Sequence, residues 1–121
     1  MPNEVGESET VAPKKEASAI RALLKQYGGK KSISFEDILD FHRQFESIHP
    51  FQDGNGRVGR LIMFKECLAH KIVPFVITDE LKMYYYRGLR EWKHIPGYLT
   101  DTCLTAQDYY KAVLDYFNIK Y

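Results

Sequence analysis

The sequence lacks any apolar stretch long enough to cross a membrane. Its longest uninterrupted apolar run is Ile72 to Ile77, whereas a membrane span needs about 20 residues. It also lacks a charged-then-apolar leader of the kind that directs secretion, and it contains no repeat or low-complexity tract. We therefore predict a cytoplasmic protein that does not enter a membrane.

The chain also has few cysteines and a net charge close to zero. The chain has two cysteines, Cys67 and Cys103, both in apolar or helical surroundings, which is typical of buried free thiols in a reducing compartment. Its 17 Lys and Arg against 16 Asp and Glu leave a net charge of +1. Because binding to a nucleic-acid backbone needs a concentrated positive field, this balance argues against nucleic acid as the main partner. It leaves room for a small basic pocket.

What is present is ordinary for a globular protein. The chain has 121 residues, of which 45% are hydrophobic and 27% are charged. A chain of this length can bury roughly two thirds of the surface that it exposes when unfolded. We therefore predict a single domain over residues 1–121 with a core of its own.

The spacing of apolar residues predicts five helices and hence an all-α, mostly helical fold. The predicted helices run from about Lys14 to Tyr27, from Ser34 to just before Pro50, from Gly56 to Lys71, from Asp79 to Trp92, and onward from Thr105. Ser34 and Asp37 form a pattern typical of a capping box, and Thr78 is predicted to cap the fourth helix. Residues 72–77 are predicted to be extended, and residues 1–13 to form an exposed extended segment or hairpin.

The last predicted helix carries a stripe of large side chains that we expect to pack against the core. This stripe consists of Tyr109, Val113, Tyr116 and Phe117.

Elsewhere, His42 precedes His49 by seven residues, but no third ligand follows at a spacing typical of zinc sites. Cys67, on the apolar face of the central helix, is predicted to belong to the core.

Residues 49–60 span the end of the second predicted helix, a tight loop and the start of the third, and contain groups typical of a phosphate site. Gly54, Asn55 and Gly56 tolerate unusual backbone angles and place N–H groups at the positive end of the next helix. Arg57 and Arg60 lie three residues apart, so both project from its first turn. Backbone N–H groups beside two guanidinium groups suit several phosphates in a row.

Two further residues of this segment supply other chemistry. Asp53 offers the hard oxygen ligand that Mg²⁺ prefers, and His49 can accept a proton near neutral pH. Together the segment fits a nucleoside triphosphate with Mg²⁺, attacked by a hydroxyl group that His49 deprotonates. Each feature taken singly also fits a structural role, such as a helix-end histidine, a tight turn or a solvated pair of arginines.

The stretch HPFQDGNGRVGR resembles the signature of the Fic family, HPFx(D/E)GNGRxxR, and every defining position matches. The segment NEVGESETVAP resembles the flap that precedes the core in that family, so the similarity covers essentially the whole chain. The resemblance implies a Fic-type helical core with a short β-hairpin flap at residues 1–13 and an active-site motif at residues 49–60.

The resemblance also implies roles for individual residues. The implied roles are the general base for His49, the Mg²⁺ ligand for Asp53, the anion hole for Gly54, Asn55 and Gly56, a phosphate contact for Arg57, the contact with the terminal phosphate for Arg60, and a buried loop anchor for Phe51. Tyr85 falls where relatives place an aromatic residue near the adenine, although the consecutive tyrosines at positions 84–86 fit helix packing equally well. Lys93 stands where some relatives have an asparagine that holds the base.

The implied activity is that of a protein adenylyltransferase, which moves AMP from ATP to a Ser, Thr or Tyr hydroxyl of a target protein. The target is predicted to dock by strand addition at residues 5–11 of the flap. One alternative is the same site used for AMP removal or for phosphoryl or other nucleotidyl transfer. Gly56 disfavours the kinase-like Doc-type relatives, which carry a lysine there. The other alternative is a truncated, non-catalytic module that binds a nucleotide or a partner chain.

Regulation is predicted to come from outside these residues. The inhibitory pattern (S/T)xxxE(G/N) of many Fic proteins is absent from the sequence, and so are the helices that usually precede the flap. We therefore expect an inhibitory segment elsewhere in a longer protein or in a separate antitoxin chain. The missing helices also favour association with a partner or with a second copy of the chain.

Overall fold

A computed structural model of the chain describes residues 4–5, 8–9, 13–48 and 55–121. These residues form a mostly helical structure with two very short strands, so the prediction of a mostly helical fold is confirmed. In chain order the elements are β1 (Glu4–Val5), β2 (Ser8–Glu9), α1 (Pro13–Gly28), α2 (Phe35–Ile48), α3 (Asn55–Ala69), a 3-10 helix (Asp79–Leu81), α4 (Lys82–Arg90) and α5 (Gly97–Tyr116). The first three helices begin and end close to their predicted positions.

Strands β1 and β2 pair in an antiparallel arrangement. Glu4 lies opposite Glu9, and Val5 lies opposite Ser8. A pair of two-residue strands is the shortest form of hairpin pairing and is marginal when alone. Its role as a flap stays a prediction.

The start of α2 is fixed by a reciprocal cap. The backbone N–H of Asp37 donates to Ser34 Oγ (3.1 Å), and the backbone N–H of Ser34 donates to Asp37 Oδ2 (2.9 Å). The hydrogen bond from the Ser34 backbone is the main cause that lowers the pKa of Asp37, and Lys30 Nζ lies 3.3 Å from Asp37 Oδ1. The predicted capping box is confirmed.

Replacing Ser34 with alanine is expected to lower the free energy of unfolding by about 1 kcal/mol, because a first-turn N–H group of α2 loses its acceptor. Denaturant unfolding measures this change. Ser32→Ala is the matched control, since Ser32 is exposed two residues earlier and lies outside the cap. Equal stability of the two variants would show that the cap contributes nothing.

The chain forms two compact units, residues 1–63 and residues 64–121. In the first unit, the apolar stripe of α2 packs against α1. One buried cluster of this unit consists of Leu23, Phe41, Phe45 and Ile48. The rings of Tyr27 and Phe41 lie 4.5 Å apart. Each large side chain buried in this way contributes roughly 1.5–3 kcal/mol of transfer free energy.

The second unit is built on the close packing of α4 and α5. Tyr85 and Leu99 are fully buried, and a Cβ added to Gly88 would lie 2.6 Å from the Cα of Leu99. The extended residues 72–77 are held to α5 by Gln107 Nε2, which donates to the carbonyl oxygen of Val73 (2.8 Å). Glycine at position 88 therefore permits the backbones of the two helices to approach.

Helix α5 corrects two of the sequence-based predictions. It begins at Gly97, eight residues before Thr105, and Pro96, which has helical backbone angles, is its N-cap residue. Its buried stripe consists of Leu99, Thr102, Cys103, Ala106 and Gln107. The residues predicted to pack, Tyr109, Val113, Tyr116 and Phe117, follow this stripe toward the C-terminal end of α5 and are exposed.

The fourth predicted helix is divided in the structure. Residues 79–81 form the 3-10 turn and α4 follows, ending at Arg90 instead of Trp92. Thr78 is the N-cap residue of the 3-10 segment, as predicted, but its side chain makes no capping hydrogen bond. The acidic first turn, Asp79 and Glu80, lies in the 3-10 segment as the helix dipole favours.

In the described part of the chain, the cysteines are buried free thiols, as predicted, and the helices agree with the short apolar runs of the sequence. Cys67 and Cys103 are free and buried. Burial raises the pKa of the Cys67 thiol to about 11 and also raises that of Cys103. None of the described helices combines the length and the apolar character that a membrane span requires.

Candidate active site

The structure describes part of the predicted site. His49, Asp53 and Gly54 lie outside the described residues, as does Phe51. Asn55 is the first residue of α3. Gly56, Arg57 and Arg60 lie within the first two turns of that helix, and their side-chain surroundings are described.

The ends of two helices frame the motif. Helix α2 ends at Ile48, directly before His49, and α3 begins at Asn55. The first N–H groups of a helix have no acceptor within the helix, and the helix dipole is positive at that end. The motif asparagine and second glycine therefore lie where a helix binds anions.

The Arg60 side chain folds back toward this end of α3. A Cβ added to Gly56 would lie 3.0 Å from Arg60 Nη1 and 3.6 Å from Cζ. The guanidinium group thus lies over Gly56, one turn closer to the N-terminus than the Cα of Arg60. Arg57 is exposed. The first turns of α3 therefore combine orphan N–H groups with two guanidinium groups, an arrangement that suits phosphates.

His42 of α2 fixes Gly59 of α3. The His42 side chain is buried, and its Nδ1–H donates to the carbonyl oxygen of Gly59 (3.1 Å). Because a carbonyl oxygen only accepts, Nδ1 must carry the proton. Burial lowers the pKa of His42 to about 4, so the ring is neutral at neutral pH. His42 therefore connects α2 with α3. The described residues contain no group of three or more His, Cys, Asp or Glu able to hold a metal ion.

Glu46 is a residue that the sequence analysis missed. Its Oε2 is buried and accepts no hydrogen bond from the described residues. Burial raises the pKa of Glu46 to about 7, against the opposing effect of the Arg60 charge. A Cβ added to Gly59 would overlap Glu46 Oε2 and lie 3.1 Å from its Cδ. The carboxyl group therefore occupies the space that a side chain at position 59 would need.

A signal for this contact was present in the sequence. Gly59 lies inside a helix that the apolar pattern predicts to be central and buried, and glycine there often marks a close approach of another group. In the second helix as predicted from the sequence, which ends just before Pro50, Glu46 lies one turn before His49, and His42 lies one turn earlier still. Residues at this spacing share one face of a helix, so all three positions were candidates for one surface.

Tyr85 does not have the surroundings expected of a base contact. Its side chain is 0% exposed, and its ring lies 5.4 Å from that of Tyr86. A ring with no exposed surface offers no face to a nucleotide base in this conformation. The burial of Tyr85 agrees with the alternative in which the tyrosines of α4 pack the helix, while Tyr84 and Tyr86 keep exposed surface.

The second unit contains a cavity of about 270 Å³ between α4 and α5. Its lining residues are Leu81, Tyr84, Arg87, Tyr98, Asp101, Thr102 and Thr105. The Arg87 guanidinium carbon lies 4.0 Å from the Tyr98 ring centroid, a cation–π contact. None of the predicted site residues lines this cavity.

Comparison with known proteins agrees with the motif. A family model described as Fic/DOC family matches residues 2–67. A probable protein adenylyltransferase of Aquifex aeolicus (strain VF5) is 44% identical over 73 residues, which are 60% of this chain and 22% of that protein. The chain thus spans less than a quarter of the length of this curated relative.

Proposed function

Because the chain belongs to the Fic/DOC family, we propose that it is a protein adenylyltransferase that moves AMP from ATP to a Ser, Thr or Tyr hydroxyl of a target protein. The observation that carries the proposal is the complete motif from His49 to Arg60, which lies within the matched region. The name of the Aquifex relative supports the same activity. A cytoplasmic location is part of the proposal.

The proposed reaction is a substitution at the α-phosphorus of ATP. The target hydroxyl oxygen forms a bond to this phosphorus, the bond to the oxygen that bridges the α- and β-phosphates breaks, and pyrophosphate leaves. His49 accepts the proton that the hydroxyl group loses. Catalysis then consists of holding the reacting groups in line and stabilising the phosphate charge.

The phosphate charge is met by groups at the start of α3. The N–H groups of Gly54, Asn55 and Gly56 would contact the phosphates, and Arg57 and Arg60 would neutralise them. The position of Arg60 over Gly56 supports this role, because it brings the guanidinium group to the helix end that attracts anions.

Asp53 would hold Mg²⁺, because a carboxylate beside phosphate oxygens is the donor set that this cation prefers. The described residues offer no competing cluster of ligands. Bound there, Mg²⁺ would neutralise part of the phosphate charge. The chain itself would hold the cation and the phosphates in the positions that the reaction needs.

We also propose that the target docks at residues 5–11 by adding a strand to the flap. The antiparallel pairing of β1 and β2 supports this, because a short paired segment presents an edge with which a further strand can pair. Inhibition would come from a segment or antitoxin chain outside these residues. Association of the chain with itself is a further proposal.

Labelled ATP tests the activity. The chain is incubated with Mg²⁺ and cell lysate, in parallel with ATP labelled on the α-phosphate and ATP labelled on the γ-phosphate. We expect protein to acquire the α-label and no γ-label, because AMP is transferred and pyrophosphate leaves. Transfer of the γ-label would identify phosphoryl transfer instead, and transfer of neither label would favour a non-catalytic module.

A further inference from the structure

Helix α2 reaches α3 through two polar side chains that converge on Gly59. His42 donates to its carbonyl oxygen, and the Glu46 carboxyl group covers its Cα. The residue after Gly59 is Arg60. The contact between the two helices is therefore made next to the arginine that the motif assigns to the terminal phosphate.

We infer that Glu46 is a positioning residue of the nucleotide site, whose carboxyl group holds the first turns of α3 and the Arg60 guanidinium in place for the phosphates. The inference deepens the proposed function, because it takes Arg60 as a phosphate ligand. Glu46 itself touches no reacting atom in this scheme and acts through Gly59 and Arg60.

The burial of Glu46 Oε2 without a hydrogen bond from the described residues argues against a purely structural role. An unpartnered buried polar atom costs roughly 1–3 kcal/mol, so an apolar side chain of similar size would stabilise the fold better. The contact with Gly59 is what places the carboxyl group at the site, and its ionised form also interacts with the charge of Arg60. A cost in stability next to a binding group is typical of functional sites.

The charge of Glu46 links it to the phosphates. Among the described residues, the charge of Arg60 on α3 acts on this carboxyl group, and His42, one turn away on α2, is neutral at neutral pH. Phosphates placed near Arg60 would disfavour the ionised carboxylate and raise the pKa of Glu46 further. Nucleotide binding would therefore take up a proton, and affinity would fall as the pH rises through about 7.

The experiment measures the affinity of α,β-methylene-ATP, whose α–β bond cannot be cleaved, and of AMP, which lacks the terminal phosphates. In Glu46→Ala we expect α,β-methylene-ATP to bind on the order of tenfold more weakly, while the affinity for AMP stays unchanged. Glu46→Gln keeps the shape of the side chain. We expect Glu46→Gln to bind α,β-methylene-ATP with the affinity that Glu46→Ala loses. We also expect the affinity of wild type to fall between pH 6 and pH 8 relative to that of Glu46→Gln.

A size exchange tests the contact independently of the nucleotide. Gly59→Ala places a methyl group where Glu46 Oε2 lies, so it should lower the melting temperature. In the double variant Glu46→Ala/Gly59→Ala, the carboxyl group no longer occupies the space of the added methyl group. The remaining close neighbour is the Phe45 ring edge at 3.2 Å, which needs to move by a few tenths of an ångström. We expect the double variant to be more stable than the sum of the two single effects.

The outcomes separate this inference from the proposed function. If wild type binds α,β-methylene-ATP and shows the Glu46 effects but transfers no AMP, the proposed activity fails and the inference stands. If AMP is transferred but Glu46→Ala binds α,β-methylene-ATP as tightly as wild type, the inference is wrong and the activity stands. Equal losses for α,β-methylene-ATP and AMP, or no binding by wild type, would also overturn it.

Discussion

Replacing His49 with alanine is expected to slow AMP transfer by about 10²–10⁴-fold, the usual contribution of a general base. The proton of the target hydroxyl then has no acceptor on the protein. Binding of α,β-methylene-ATP should persist, because the groups assigned to the phosphates lie at the start of α3. Incorporation of α-labelled AMP over time gives the rate, and the two measurements together separate chemistry from binding.

His94→Ala is the matched control for this variant. His94 is exposed and carries no assigned role, so its loss should leave transfer unchanged. A melting temperature equal to that of wild type would show that His49→Ala folds normally. Undiminished transfer by folded His49→Ala would remove the general base from the mechanism.

Replacing Gly88 with alanine is expected to destabilise the second unit strongly, because the added methyl group would collide with the backbone of α5. The new Cβ would lie 2.6 Å from Leu99 Cα and 2.8 Å from Leu99 N, and backbone atoms cannot rotate away as a side chain can. Overpacking of this kind costs about 3 kcal/mol. For a chain of this length that lowers the melting temperature by roughly 10 °C, which calorimetry or circular dichroism measures.

Gly97→Ala is the control, because a Cβ at Gly97 would meet nothing within 4 Å. That variant should be as stable as wild type or slightly more stable, since alanine restricts the unfolded chain. If Gly88→Ala melted at the same temperature as Gly97→Ala, the two helices could not be as close at this point as the structure has them.

The helical framework of the site could be predicted from the sequence because its signals are local. The Ser34–Asp37 cap fixes where α2 begins, and Pro50 marks a boundary just beyond its end at Ile48. Apolar residues at three- and four-residue steps then define the buried face of α2. Each of these signals acts within a few residues, so one sequence is enough to detect it.

The second unit was harder to predict because its buried stripe is chemically mixed. Thr102, Cys103 and Gln107 are buried there beside Leu99, and a count of large apolar residues passes over the first three. Such a count selects Tyr109 and Val113 instead, which lie further along α5 and are exposed. Which part of α5 is covered depends on its contact with α4, and that contact rests on Gly88, whose significance is visible only in three dimensions.

Glu46 was missed for a related reason. Glutamate on a helix is usually a solvated residue, as Glu36 is at the start of the same helix. The signal that marks position 46 combines its spacing from His42 with Gly59, thirteen residues later in the chain, and is therefore not local. The motif indicates the chemistry of residues 49–60. The side chains that hold the start of α3 in place come from α2, through the contacts of His42 and Glu46 with Gly59.

The two buried thiols have a practical consequence for following the reaction spectroscopically. A thiol reacts with maleimide or iodoacetamide dyes as its thiolate, and burial disfavours that form at both Cys67 and Cys103. Both side chains are also inaccessible to a bulky reagent. A single cysteine introduced at an exposed position can therefore carry a fluorophore on the native chain without first removing either natural cysteine.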